Sequence, residues 1–224
     1  MTTAAEIKKL VKPLLARNAD LALVKRFVVV TPLRHVIRGV LMDGTSGKHG
    51  FLPRWLVDHF FEPRRRYHLS WGECLRHSTK GWVWYTTEAG IEEELILSVE
   101  GQALPLLRAL ESLDDFVATV AQTDRPHLLF EVPVEKIVLD IARGDLATAR
   151  GLSRDVIAKK SLDDPHLDDE DREHLRKVKV LCALLEKDDR AGMARMLHEW
   201  EAETVRLMKL DHLWEPSPFP LEMM

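Results

Sequence analysis

The feature that most limits how this chain can fold is a change of hydrophobic period near residue 90. Upstream, apolar residues come in short β-branched runs. Phe27-Val28-Val29-Val30-Thr31 is followed by a Pro32-Leu33 link and by Arg34 to Met42, and Asp43-Gly44-Thr45-Ser46-Gly47 closes the stretch. Runs of this kind bounded by turn residues predict adjacent antiparallel strands. Phe51 to Phe61, Tyr67 to Leu75 and Trp82-Val83-Trp84-Tyr85 add further short segments, giving a sheet of about four or five strands of ordinary length. Ahead of them, Ile7, Leu10, Val11, Leu14 and Leu15 fall at helical spacing. They predict an amphipathic opening helix from Ala4 to Ala16, kinked or shortened by Pro13.

Downstream of Gly90 the stripe is helical. Ile91, Leu95, Ile96, Val99, Ala103, Leu106, Leu107 and Leu110 form one apolar face, bent near Gly101 and Pro105, and Ser112 opens a second helix carrying Leu113, Phe116, Val117 and Val120. After residue 130 the pattern predicts four helices, Glu135 to Arg143, Asp145 to Lys159, Asp169 to Lys187 and Asp189 to Leu210. Gly144 is placed to stop one helix and Asp145 to cap the next, which makes a helical hairpin. The pairs 135–159 and 169–210 share length and composition, but no fixed period of about 34 residues can be laid over both, so an ordinary bundle packed on the sheet is expected. Pro216, Pro218 and Pro220 predict a tail that is not helical and lies extended over the surface. The expected fold class is α+β, an N-terminal helix plus antiparallel sheet followed by a helical layer or bundle. The expected divisions are a basic α+β domain over 1–125, an acidic helical region over 126–213 and a Pro-rich extended tail over 214–224.

Charge is distributed unevenly. Residues 1–88 hold 15 Lys+Arg against 7 Asp+Glu, while the remaining residues hold 17 against 29. An asymmetry of this size points to partners or to the two halves facing each other more than to any chemistry. The 46% apolar content excludes a disordered chain. The opening residues lack a signal-peptide core and no apolar run reaches the roughly 18 residues of a membrane span. A cytoplasmic protein is expected, without membrane contact. Cys74 and Cys182 stand far from any metal or disulfide spacing and read as reduced thiols.

Three constellations carry chemistry. The first is His166-Leu167-Asp168-Asp169-Glu170-Asp171-Arg172-Glu173-His174. Asp171 and His174 share a helix face, so His166, Asp171 and His174 are candidate metal ligands, the kind a metal-dependent hydrolase would use. Acidic residues also gather at helix N-termini because they cap free N–H groups and oppose the dipole, and that reading is preferred. The second is the basic run Arg64-Arg65-Arg66, with Arg54, Lys48 and Arg76 near it in sequence and Trp55, Phe60, Phe61 and Trp71 interleaved. Arginine beside aromatic rings suits phosphate contact with base stacking, so Arg54, Arg64, Arg65, Arg66, Trp55 and Trp71 are the candidate partner- or nucleic-acid-binding residues. No nucleic-acid-binding signature accompanies them, and charge pairing with protein is preferred. The third is the set of histidines His35, His49, His59, His68 and His77, which have no nucleophile in a recognisable context; Asp43 to Lys48 lacks the spacing of a phosphate-binding loop. No catalytic residue and no cofactor is assigned.

The order Leu33-Arg34-His35-Val36-Ile37-Arg38-Gly39-Val40, Phe51-Leu52-Pro53-Arg54-Trp55-Leu56-Val57, Phe60-Phe61-Glu62-Pro63, Leu69 to Leu75, Trp82, Ala103-Leu104-Pro105-Leu106-Leu107 and Ser112-Leu113-Asp114-Asp115-Phe116 resembles a family of conserved hypothetical bacterial proteins. The likeness spans roughly residues 20–120. It implies a bacterial origin and an α+β body. Related families sometimes act as toxin-immunity or accessory proteins. The expected function is therefore a non-enzymatic, immunity-type or adaptor protein whose acidic helical face meets a protein with a basic surface. Nucleic-acid binding is the alternative, and a metal-dependent hydrolase the third.

Overall fold

The computed structural model describes residues 2–61, 71–78, 81–123 and 133–223, apart from the side chains of residues 156 and 158. It divides into two compact units. One comprises Met1–His59, Tyr67–Arg125 and Leu210–Glu215; the other comprises Phe60–Arg66, Pro126–Lys209 and Pro216–Met224.

In the sheet-bearing unit, α1 (Ala4–Arg17) starts on a capping box. Thr3 accepts from the Glu6 N–H and the Glu6 carboxylate accepts from the Thr3 N–H. Those bonds, with His49 at 2.9 Å, hold the Glu6 carboxyl at about 2, below its ordinary value. Ile7, Leu10, Val11 and Leu14 form the buried face. The helix runs through Pro13 to Arg17 instead of stopping there. The hydrogen bond that Pro13 cannot donate would have ended on Lys9, an exposed position where water serves instead.

The sheet has six strands, β1 (Leu21–Val24), β2 (Phe27–Val30), β3 (Val36–Gly44), β4 (Gly50–His59), β5 (Trp71–Cys74) and β6 (Trp84–Tyr85). Their order is β1-β2-β3-β4-β5, with β6 also paired to β4, and every pairing is antiparallel. The expected strands are present, and the short β1 precedes them. Sequence reading missed β1 because its hairpin turn carries no Gly or Asn: Lys25 itself takes the left-handed conformation, at φ 59°. The β3–β4 ladder is the longest, from Val36 opposite His59 to Gly44 opposite Phe51. Two glycines permit the sheet's closest approaches. A Cβ at Gly39 would lie 2.2 Å from the Val28 carbonyl oxygen, and one at Gly72 would lie 2.0 Å from that of Trp55.

The helical layer of this unit is α2 (Ile91–Ser98), a π-helical turn over Val99–Ala103, α3 (Leu104–Arg108) and α4 (Leu113–Val120). The expected bend falls on that turn, next to Pro105. Ser112 caps α4 in a second capping box, with Asp115 as its reciprocal partner. Residues 210–215 return to this unit, where Leu33 donates to the Leu213 carbonyl and accepts from the Glu215 N–H.

The other unit holds α5 (Pro133–Arg143), α6 (Leu146–Val156), α7 (Asp169–Glu186) and α8 (Arg190–Met208), with a 3-10 turn at Ile157–Lys159. Gly144, at φ 84°, ends α5, and Asp145 caps α6 by accepting from the Thr148 N–H. The turn between α7 and α8 is built the same way, each residue 44 positions on. Asp188 takes φ 55°, and Asp189 accepts from the Gly192 N–H. The bonds Gly144 N to Ile141 O, Asp145 N to Asp140 O and Leu146 N to Gly144 O recur as Asp188 N to Leu185 O, Asp189 N to Leu184 O and Arg190 N to Asp188 O. Buried seams follow at the same offset. Val134, Ile137, Val138 and Ile141 on α5 match Val178, Leu181, Cys182 and Leu185 on α7. The unit is thus one helical hairpin used twice. The repeat has a period of 44 residues, not one of about 34.

The tail departs from expectation. Pro220–Met223 forms a 3-10 turn, with proline at its first position, where a missing N–H costs nothing. Phe219 and Leu221 are fully buried instead of lying on the surface.

Overpacking gives the first test. Gly39→Ala should cost about 1–3 kcal/mol or more, since the obstructing atom is backbone. Gly101→Ala, with nothing within 4 Å of its added Cβ, should be neutral or slightly stabilising. Denaturant midpoints of the two variants against wild type check this.

Candidate functional site

The acidic segment before α7 is organised by capping. Asp168 accepts from the Asp171 N–H at 2.8 Å and is the N-cap of the helix, as the preferred reading expects. Asp169 pairs with Arg172 at 2.9 Å, and Glu173 pairs with Arg176. Arg172 also donates to the Leu162 and Leu167 carbonyls, which ties the preceding loop to the helix. His166 is exposed, and its N–H donates to Asp164. Among the described residues, no three His, Cys, Asp or Glu side chains gather as a metal site, so His166, Asp171 and His174 are not brought together as ligands.

Of the basic and aromatic candidates, Arg64, Arg65 and Arg66 lie outside the described residues. Arg54 sits on β4 opposite Leu41 and Cys74. Trp71 is 1% exposed and packs edge-on against Phe116 with centroids 5.7 Å apart, and Trp55 is 9% exposed. Both rings belong to the core and offer no free face to a base. Among the described residues of this unit, Trp82 and Tyr85 are the exposed large aromatics, at 47% and 42%. The Arg76 guanidinium lies 4.8 Å from the centre of the Trp82 ring, a cation–π contact. Sequence reading named both residues without pairing them, since five residues and a turn separate them.

Charge is also redistributed once it is counted over the two units. The sheet-bearing unit holds 14 Lys+Arg against 16 Asp+Glu, and the helical unit holds 18 against 20. The acid excess is concentrated in the helical layer of the sheet-bearing unit. Over Ile91 to Val120, Glu92, Glu93, Glu94, Glu100, Glu111, Asp114 and Asp115 stand against Arg108 alone. Arg108 is itself engaged, donating two bonds to Asp20 at 2.7 and 2.8 Å and one to Asn18. That pairing holds the Asp20 carboxyl below its usual range. Glu93 and Glu100 meet Arg17 at 3.5 and 3.9 Å, and Glu94 accepts from the Ser78 N–H. Glu92 and Glu111 are exposed. The result is an acidic helical face over α2 to α4, whereas α5 to α8 are close to balanced.

Two buried acids mark the helical unit. Asp140, 1% exposed, faces Lys136 at 2.7 Å and Arg143 at 3.7 Å; burial nevertheless pushes its carboxyl up, because desolvation outweighs the pairing. Glu201, fully buried on α8, lies 3.7 Å from His198 Nδ1. His198 Nε2 donates to Glu222 at 2.8 Å, so the imidazole stands between two carboxylates. The Cys182 thiol is pushed up by burial, as expected of a packed thiol and not of a nucleophile.

No family model matches this chain, and no curated protein and no solved structure shows significant similarity to it. Among the described residues, no helix is long and apolar enough to cross a membrane.

The capping role of Asp168 is open to direct test. Asp168→Ala should lower stability by about 0.5–2 kcal/mol, and Glu170→Ala, in the same first turn, by less. Thermal unfolding with and without a chelator checks it: a drop of the wild-type midpoint on chelation would instead signal a bound metal.

Proposed function

We propose that this chain is a non-enzymatic protein–protein interaction protein, of adaptor or immunity type, that binds a partner with a basic surface. The observation supporting this most is the acidic face over α2 to α4, where Arg108, the one Lys or Arg between Ile91 and Val120, is already engaged by Asp20. A single-sign face steers an oppositely charged partner into encounter and repels competitors. The reading moves the acidic surface from the long helices α5 to α8, where sequence alone placed it, to the helical layer of the sheet-bearing unit.

A second reading, nucleic-acid binding, draws its support from the exposed Trp82 under Arg76 with Tyr85 also exposed, a pair of rings and a cation of the kind that stacks on single-stranded bases. It ranks second because Trp55 and Trp71, two of its six candidate residues and both of its aromatic ones, are buried.

Affinity purification from the cell of origin, followed by kinetics with the purified partner, tests the first reading. Reversing Glu92, Glu93 and Glu111 to Lys should slow association about 10-fold or more at low salt, and should lower the unfolding midpoint modestly, since Glu92 and Glu93 lie in the first turn of α2 and Glu93 pairs with Arg17. A partner unaffected by the reversal, or salt-sensitive single-strand binding lost on Trp82→Ala, would overturn the ranking.

A further inference from the structure

The segment Pro216 to Met223 is held to the helical unit in the manner of a bound peptide. Pro216, Pro218 and Pro220 have no N–H to donate, and side chains of the residues between and after them supply anchors. Phe219 is fully buried, with its ring edge-on to Phe61 at 5.5 Å and against His198 at 4.8 Å. Leu221 is 1% exposed. Glu222 folds the segment back by accepting from the Phe219 N–H at 2.7 Å, and the same carboxylate oxygen accepts from His198 Nε2 at 2.8 Å. Glu201, buried on α8, lies 3.7 Å from Nδ1 on the other side of that ring. The 3-10 turn packs against both α5 and α8, the first helix of one hairpin and the second helix of the other. The doubled hairpin thereby forms a seat for an aromatic ring, an aliphatic side chain and a carboxylate spaced over four residues.

We propose that this seat is a docking site for a partner's segment of aromatic-Pro-aliphatic-Glu sequence, which the chain's own residues 216–223 occupy in cis. Three prolines restrict the backbone of the unbound segment, which lowers the ordering cost of binding. A tethered copy competes at high effective concentration, so a partner gains access only when the resident segment is weakened or the partner is abundant. This proposal does not depend on the acidic face of α2 to α4.

The test uses a fluorescent peptide, Pro-Ser-Pro-Phe-Pro-Leu-Glu-Met, titrated by anisotropy into full-length wild type, Phe219→Ala/Leu221→Ala and Glu222→Gln. The double variant, with its resident anchors removed, should keep its helical circular dichroism and bind the peptide about 10-fold or more tighter than wild type does. Glu222→Gln should bind with intermediate affinity, and a peptide with Phe replaced by Ala should not bind any of the three. A folded double variant that ignores the peptide would overturn the proposal. So would loss of the helical signal in that variant, because the segment would then be a core element. Light scattering on the same samples separates the remaining occupant: a dimer that the peptide fails to break would overturn it in favour of exchange between copies.

Discussion

The helical unit depends on one turn, made twice. A residue in the left-handed conformation ends a helix, and the next residue, an aspartate, turns its side chain onto the N–H three positions on and starts another. The left-handed residue brings the chain back beneath the outgoing helix, satisfying two of its last carbonyls, and the aspartate satisfies a first-turn donor. Because these groups have no partner within the helices themselves, the turn fixes where α5 and α7 stop and how α6 and α8 pack back on them. The buried seams then follow from sequence spacing. The arrangement has a further result: α5 and α8, one helix from each hairpin, together receive one short segment.

The sheet-bearing unit rests on a different constraint. Its longest strand pair, β3 with β4, has neighbours on both outer edges, and the backbones come so close at Gly39 and Gly72 that a methyl group would strike a carbonyl oxygen. Aromatic side chains fill the space around that ladder: Phe51 lies 6.2 Å from Trp84, and Trp71 and His59 both pack against Phe116 of α4. The rings that looked available for stacking on bases are consumed in this packing. The acids of the helical layer are partly consumed too, by Arg17, the Ser78 N–H and the Ser112 capping box, yet seven carboxylates stand between Ile91 and Val120 against Arg108 alone.

Much of this was legible from residues. The change of period near Gly90 gave the fold class, and Gly144, Asp145, Ser112 and Asp168 marked their helix ends, since each position demands a residue type for a stereochemical reason. What was missed lacked such a demand. The β1–β2 turn uses Lys25, and the second hairpin uses Asp188, where glycine would have been the signal. That substitution of Asp188 for the role of Gly144 hid the 44-residue repeat, because the shared feature is a backbone conformation and not a residue. The direction of Trp55 and Trp71 was beyond alternation, since nearly every position of β4 from Trp55 to His59 is buried. The seat of Phe219 was invisible because prolines argue only against regular helix and say nothing about what the residues between them bury.

Hydrogen exchange read by mass spectrometry on wild type and Phe219→Ala tests the central claim, that a doubled hairpin carries an exchangeable segment on α5 and α8. Local opening is confined to elements that lose packing, whereas loss of a core element opens a whole cooperative unit. The account predicts faster exchange in 216–223 and in the adjoining parts of α5 and α8, with α7 and the β3–β4 ladder at wild-type rates. Acceleration of all four helices together, or no change in α5 and α8, would contradict it.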